Sequence, residues 1–237
     1  MTDAIAQLSD ARARVLDRIA EACARRGRDP ADVRLVAVSK TVPPERLRAA
    51  VAAGLTTLGE NRVQEALAKV DHVPGASWHL IGPLQSNKAR RAVEAFGVIQ
   101  SVDSTGLAER LSRLAGELRP GRPLSVLLQV NVDDDPAKAG FDPPALEAAL
   151  PTILALPHLS VDGLMTIGRL VASAEEARPT FVALRELHAR LRGAFRALGP
   201  ELSMGMSDDY AVAVEEGATI VRVGRALFGE RPSPEAG

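Results

Sequence analysis

Apolar residues at Ile5, Leu8, Val15, Ile19 and Cys23 fall on one face of a helix, and the polar stretch Arg25-Arg-Gly-Arg-Asp-Pro30 ends the pattern. The spacing predicts a long amphipathic helix within residues 1–28. Beyond it, short apolar runs rich in valine and isoleucine predict eight strands, at Val33–Ser39, Thr56–Gly59, Ser77–Ile81, Val98–Val102, Leu124–Val130, Leu159–Leu164, Glu201–Met204 and Thr219–Val223. Helical spacing fills the intervals, at Pro44–Ala53, Asn61–Val70, Asn87–Ala95, Leu107–Leu118, Pro144–Leu154, Ala174–Ala197 and Tyr210–Glu216. Gly54 stands where a helix C-terminus needs a left-handed residue, and Ser173 with Glu176 has capping-box spacing.

Strict alternation of strand and helix implies a parallel sheet, because each parallel pair needs a crossover. Eight units after an extra N-terminal helix favour a closed (β/α)8 TIM barrel, with an open doubly wound sheet as the competing α/β arrangement. No linker or low-complexity block divides the chain, so a single domain is expected over residues 1–237, with a loose tail at 230–237.

The chain has 237 residues and a formal net charge of −1, with both signs mixed along its length. That is ample for a hydrophobic core and leaves no electrostatic footprint for nucleic acid or an anionic membrane. A small-molecule ligand is expected instead. The single cysteine, Cys23, excludes an internal disulfide and suits a reducing compartment, and its helical face places it in the core. The N-terminus shows no basic stretch followed by an apolar one, and no apolar run is long enough to span a bilayer, so a cytoplasmic location is expected.

Chemistry enters through lysine. Of twenty-nine basic residues only Lys40, Lys69, Lys88 and Lys138 are lysine, and Lys40 closes the apolar run Val33-Arg-Leu-Val-Ala-Val-Ser-Lys40. An ammonium at the end of an apolar strand is open to desolvation, which lowers its pKa and frees the amine to attack a carbonyl; a solvated lysine is the plainer alternative. In a barrel the site lies at the C-terminal strand ends, and anions are held after strands seven and eight. Ser207, a possible cap of the next helix, and Gly224, where backbone N–H groups can approach a ligand closely, stand there. Arg222 alternates with Val221 and Val223 and would point inward, toward either a carboxylate or a ligand. Asn61 and His79 fall at the ends of strands two and three. Nucleotide-binding and zinc-protease signatures are missing, the four histidines are scattered, and Asp133-Asp-Asp135 reads as a solvated loop, so no metal is expected.

Six ordered stretches together resemble one family: Val36-Ala-Val-Ser-Lys40, Gly59-Glu-Asn-Arg-Val-Gln-Glu65, Trp78-His-Leu-Ile-Gly-Pro-Leu-Gln-Ser-Asn-Lys88, Gly163-Leu-Met-Thr-Ile-Gly168, Leu202-Ser-Met-Gly-Met-Ser-Asp-Asp209 and Val221-Arg-Val-Gly-Arg-Ala-Leu-Phe-Gly229. The family is that of the pyridoxal 5′-phosphate homeostasis proteins (YggS/PROSC). The resemblance implies a fold-type III barrel like the N-terminal domain of alanine racemase, with pyridoxal 5′-phosphate as an internal aldimine on Lys40. It implies that Ser207, Gly224 and the backbone of Arg225 hold the phosphate, that Arg222 faces the pyridine nitrogen, and that Asn61, His79 and Met204 line the pocket. Many members carry a small hydroxyl residue where this chain has Arg225. Lys138 is implied as a secondary lysine for cofactor transfer.

An arginine facing the ring nitrogen would leave it unprotonated and the ring a poorer electron sink. That disfavours broad carbanion chemistry, and the shortness of the chain after strand eight leaves no room for the added domain that completes related racemases. The first expectation is therefore a monomeric carrier that buffers the cofactor and delivers it to apo-enzymes, without robust turnover of its own. An amino-acid racemase and a cofactor-independent, aldolase-like Schiff-base barrel are the alternatives.

Overall fold

The computed structural model describes residues 2–169 and 171–229. In chain order the elements are α1 (Thr2–Ala24), β1 (Arg34–Val38), α2 (Pro44–Ala52), β2 (Thr57–Glu60), α3 (Val63–Leu67), β3 (Ser77–Leu80), α4 (Ala89–Ala95), β4 (Val98–Val102), α5 (Thr105–Leu118), β5 (Leu124–Gln129), α6 (Pro143–Leu154), β6 (Leu159–Met165), α7 (Arg178–Ala194), β7 (Glu201–Ser203), α8 (Tyr210–Glu215), β8 (Ile220–Val223) and α9 (Arg225–Phe228). The strands form a closed parallel barrel in sequence order. β8 closes it on β1, pairing Arg34 with Ile220 and Val36 with Arg222. The expected tail at 230–237 lies outside the described residues.

Two apolar layers make the core. Val36, Leu127, Met165 and Ile220 form a small cluster of their own, while a much larger one joins the outer strand faces to the helices. Period-two alternation produces the division, since neighbours on a strand face opposite sides. Helix α1 adds Leu8, Ala11, Val15, Ile19, Ala22 and Cys23, all buried, so the lone cysteine is a core residue. Its end is tied to α8 by Arg25 and Glu215 at 2.6 Å and Arg26 and Glu216 at 3.3 Å.

Local chemistry sets several boundaries. Gly54 adopts φ +86°, and Leu55 N–H returns to the Ala50 carbonyl at 2.9 Å, the left-handed stop expected after α2. Asp142 caps α6 through the Ala145 amide at 2.7 Å with Pro143 in the first turn. Helix α3 is shorter than its apolar spacing predicts, because Arg62 before it is extended. The long helix expected over 174–197 begins as a single tight turn, with α7 starting where Pro179 enters its first turn. Ser173 makes no cap of the expected kind; its hydroxyl bonds the Glu176 carboxylate at 2.9 Å instead. The short helix α9 carries too little periodicity to be read from sequence.

Candidate functional site

Lys40 stands two residues beyond β1, in a turn, and lines a cleft together with Val38. It is half-buried, and the next residue, Thr41, is a non-glycine at φ +65°, bending the chain sharply away from the strand. Register places Val36 beside Arg222, so the Lys40 end of β1 adjoins the Gly224 end of β8. A Cβ on Gly224 would lie 3.4 Å from that of Val38, in ordinary van der Waals contact, so the two strand ends pack closely here. Between the two strand ends lies a cleft of ≈ 160 Å³ whose walls include Lys40, Thr41, Gly224 and Arg225.

The loops after β7 and β8 are joined directly. The Gly224 amide donates to Ser207 Oγ at 3.1 Å, and the Arg225 guanidinium pairs with Asp208. Ser207 is therefore not the helix cap expected of it: Asp209 precedes α8, and its carboxylate turns back to accept the Met206 amide at 2.6 Å. Burial pushes the Asp209 carboxyl up, against the lowering effect of that bond. Gly205, at φ +90°, permits the tight turn; a Cβ there would meet Ala213 Cβ at 2.5 Å.

Inside the barrel a polar chain crosses from β8 to β3. Arg222 donates to Ser203 Oγ at 2.7 Å and to the Thr166 carbonyl at 2.8 Å. The Ser203 hydroxyl donates to Gln100 Oε1 at 2.6 Å, and the Gln100 amide meets His79 Nδ1 at 2.9 Å. All four side chains are buried. Arg222 forms no ion pair with a carboxylate among the described residues, and burial lowers its pKa to about 10, still cationic at neutral pH. Burial also depresses His79, to about 4.

Against the expectations, the alternation of β7 separates Met204 from this chain. Ser203 faces inward, and Met204 is packed in the outer apolar cluster. Asn61 is half-buried just past the end of β2, the strand beside β1, in a separate cleft of ≈ 680 Å³ shared with Arg62, Gln85 and Lys88. The Asp133–Asp135 segment is no plain solvated loop. Asp133 and Asp135 lie 3.7 and 3.6 Å from Lys138, and Asp133 also accepts from Thr180 at 2.6 Å.

Sequence reasoning missed two groups. Gln100, in the middle of β4, and Ser203, at the end of β7, looked like ordinary strand residues, although each has inward parity. Behind Lys40, Lys69 donates to Glu60 at 2.7 Å and to the Ser39 carbonyl at 2.9 Å, and Ser39 Oγ donates to the same Glu60 oxygen at 2.7 Å. Glu60 is fully buried, and its other oxygen has no hydrogen-bond partner among the described residues. Desolvation raises its pKa despite the stabilising bonds. The signal was a carboxylate at the end of a strand, with one of the four lysines nine residues beyond.

A parallel barrel with a strand-end lysine, a glycine turn after its last strand and an inward arginine defines a class of fold, and residues 15–232 match the family model described as "Alanine racemase, N-terminal domain". An alanine racemase of Clostridium difficile 630 shares that fold at a TM-score of 0.69 and 14% identity, covering 85% of this chain and 53% of its own. Much closer in sequence are proteins called pyridoxal phosphate homeostasis protein. The one from Aquifex aeolicus is 43% identical over 220 residues, spanning 92% of this chain and 96% of the relative. That of Pseudomonas aeruginosa is 47% identical over 224 residues, spanning 92% and 94%. PipY of Synechococcus elongatus PCC7942, in a structure with PLP bound, is 49% identical with a TM-score of 0.78, covering 89% of this chain and 100% of its own. The chain belongs to the pyridoxal phosphate homeostasis protein family.

Proposed function

We propose that this protein binds pyridoxal 5′-phosphate at the barrel mouth, covalently through Lys40, and buffers and delivers it. The donor set fits that group. An amine is present for an aldehyde, the Ser207, Gly224 and Arg225 loops offer donors to a phosphate, and a guanidinium and an imidazole stand on the barrel floor. Asn61 completes the wall, and Met204 contributes backbone alone. When bound, the cofactor supplies an electron-withdrawing ring and a reversible carbonyl.

The observation that carries the reading is Arg222, a buried cation whose hydrogen bonds go to neutral groups and which forms no ion pair among the described residues, the Asp209 carboxylate acting on it only at longer range. Facing a pyridine nitrogen, it accommodates a lone pair and opposes protonation there, so the ring withdraws electrons weakly. His79, buried and depressed to about 4, is poorly matched to taking protons at neutral pH. Both features support a carrier over a racemase. Lys138, held between Asp133 and Asp135, would serve as the secondary lysine. The protein would act as a cytoplasmic monomer of one domain, handing the cofactor to apo-enzymes; no described helix is long and apolar enough to cross a membrane.

The test is the visible spectrum with pyridoxal phosphate, followed by borohydride and mapping of the fixed adduct. A yellow chromophore that borohydride bleaches, leaving a reduced adduct mapped to Lys40, is expected, with both lost in Lys40→Ala and no solvent-deuterium uptake at Cα of added amino acids. A colourless protein without an adduct would overturn the cofactor; rapid deuterium uptake would overturn the carrier.

A further inference from the structure

The polar chain on the barrel floor has a direction, and the direction follows from arginine. A guanidinium donates hydrogen bonds and accepts none. Arg222 therefore occupies an acceptor lone pair of Ser203 Oγ, and the serine proton must go elsewhere. Among the described residues the one acceptor it meets is Gln100 Oε1, at 2.6 Å. Reversing the glutamine amide would set an N–H against that O–H and strand the serine proton in a buried site, where an unmet donor is costly. With Oε1 fixed toward Ser203, the Gln100 N–H faces His79 Nδ1 at 2.9 Å. Nδ1 must then be the bare nitrogen. The ring proton sits on Nε2, which has no hydrogen-bond partner among the described residues.

We propose that Gln100 and Ser203 are positioning residues that transmit the polarity of Arg222 to His79, locking its proton on Nε2 so that His79 serves the barrel-mouth ligand as a hydrogen-bond donor and not as a base. The part that concerns the ligand rests on the cofactor reading above. The burial that depresses His79 is consistent with a ring that stays neutral. One buried arginine thus does two things: it meets the ligand itself and fixes the tautomer of a residue three strands and more away around the barrel.

Nitrogen-15 NMR of the histidine rings in the cofactor-free protein tests the lock directly, since bare and protonated ring nitrogens resonate far apart. The expected spectrum has Nδ1 bare and Nε2 protonated, unchanged between about pH 8 and about pH 5.5. Ser203→Ala releases the amide and should put His79 into a mixture of both tautomers, while Ser203→Thr should restore the single form. Gln100→Glu, whose new carboxylate can only accept, should move the proton to Nδ1 or add a second. On loading with pyridoxal phosphate the Nε2–H resonance should shift, and Ser203→Ala should bind about tenfold more weakly. A wild-type proton on Nδ1, or a Ser203→Ala spectrum identical to wild type, would overturn the proposal. An Nε2–H resonance that does not move while Lys40 becomes modified would overturn the donor role. A locked tautomer with no adduct on Lys40 would instead uphold the relay and overturn the cofactor.

Discussion

Desolvation holds the His79 imidazole at about 4, against an ordinary value of 6.5. Between those values the unfolded chain takes up a proton that the folded one refuses. The sign is therefore that of a depressed base: the contribution is complete above about pH 6.5 and is lost as pH falls toward about 4, on the order of 3 kcal/mol in all. His79→Phe should flatten the fall of unfolding free energy across that window in urea titrations. An unchanged slope would mean that the ring is hydrated in the folded state. At Lys40 the reasoning is chemical more than energetic. The side chain is half-buried at the rim, so Lys40→Ala should keep the melting temperature within a few degrees while abolishing covalent capture. Lysine scarcity and the strand-end position made Lys40 legible in the sequence. The inward parity of Arg222 was legible too, but its partners were not: a carboxylate was one expected partner, and the barrel supplies a serine and a carbonyl from strands far away in the chain.

Among the elements, the ends of β1 and β2 are braced by Lys69. Its ammonium holds the Ser39 carbonyl, in the peptide bond that leads into Lys40, and pairs with the buried Glu60. Removing one member leaves a charge uncompensated where water cannot reach. Lys69→Met should cost about 3–5 kcal/mol by chemical denaturation, and adding Glu60→Gln to it should recover much of that, because no buried charge then remains. Equal losses in the single and double variants would show that the lysine stem, not the charge, matters. A second element-level constraint lies in the turn after β7. Gly205 adopts φ +90°, and a Cβ there would also meet Tyr210 Cα at 2.9 Å. Gly205→Ala combines a strained backbone with overpacking and should cost about 3 kcal/mol. It should also displace Ser207 from Gly224, read as weaker cofactor capture. A sequence pattern marks this glycine as a turn; it does not show what the turn leans against.

For the molecule as a whole, a cluster of arginines around two glutamates pins α1 and α7 to α8. Glu216, 4% exposed, takes Arg26, Arg178 and Arg185, and Glu215 takes Arg25 and Arg178. The three bonds that Arg178 makes to Glu175, Glu215 and Glu216 push its pKa far above the ordinary value. Glu216→Gln should destabilise the fold by about 2 kcal/mol, and by less in high salt, where the remaining arginines repel one another weakly. A loss that does not change with salt would point to packing in place of charge. The alternation of strands and helices, the number of strands, the N-terminal helix and the candidate lysine all followed from the chain itself, because period-two and period-3.6 patterns and short connections are local properties. Closure of β8 on β1, the directed chain from Arg222 to His79, the Lys69 brace and the outward turn of Met204 were settled only in three dimensions. The closure and the directed chain depend on residues from about twenty to nearly two hundred positions apart meeting at one register, and no local periodicity encodes which strand a side chain will face across a barrel.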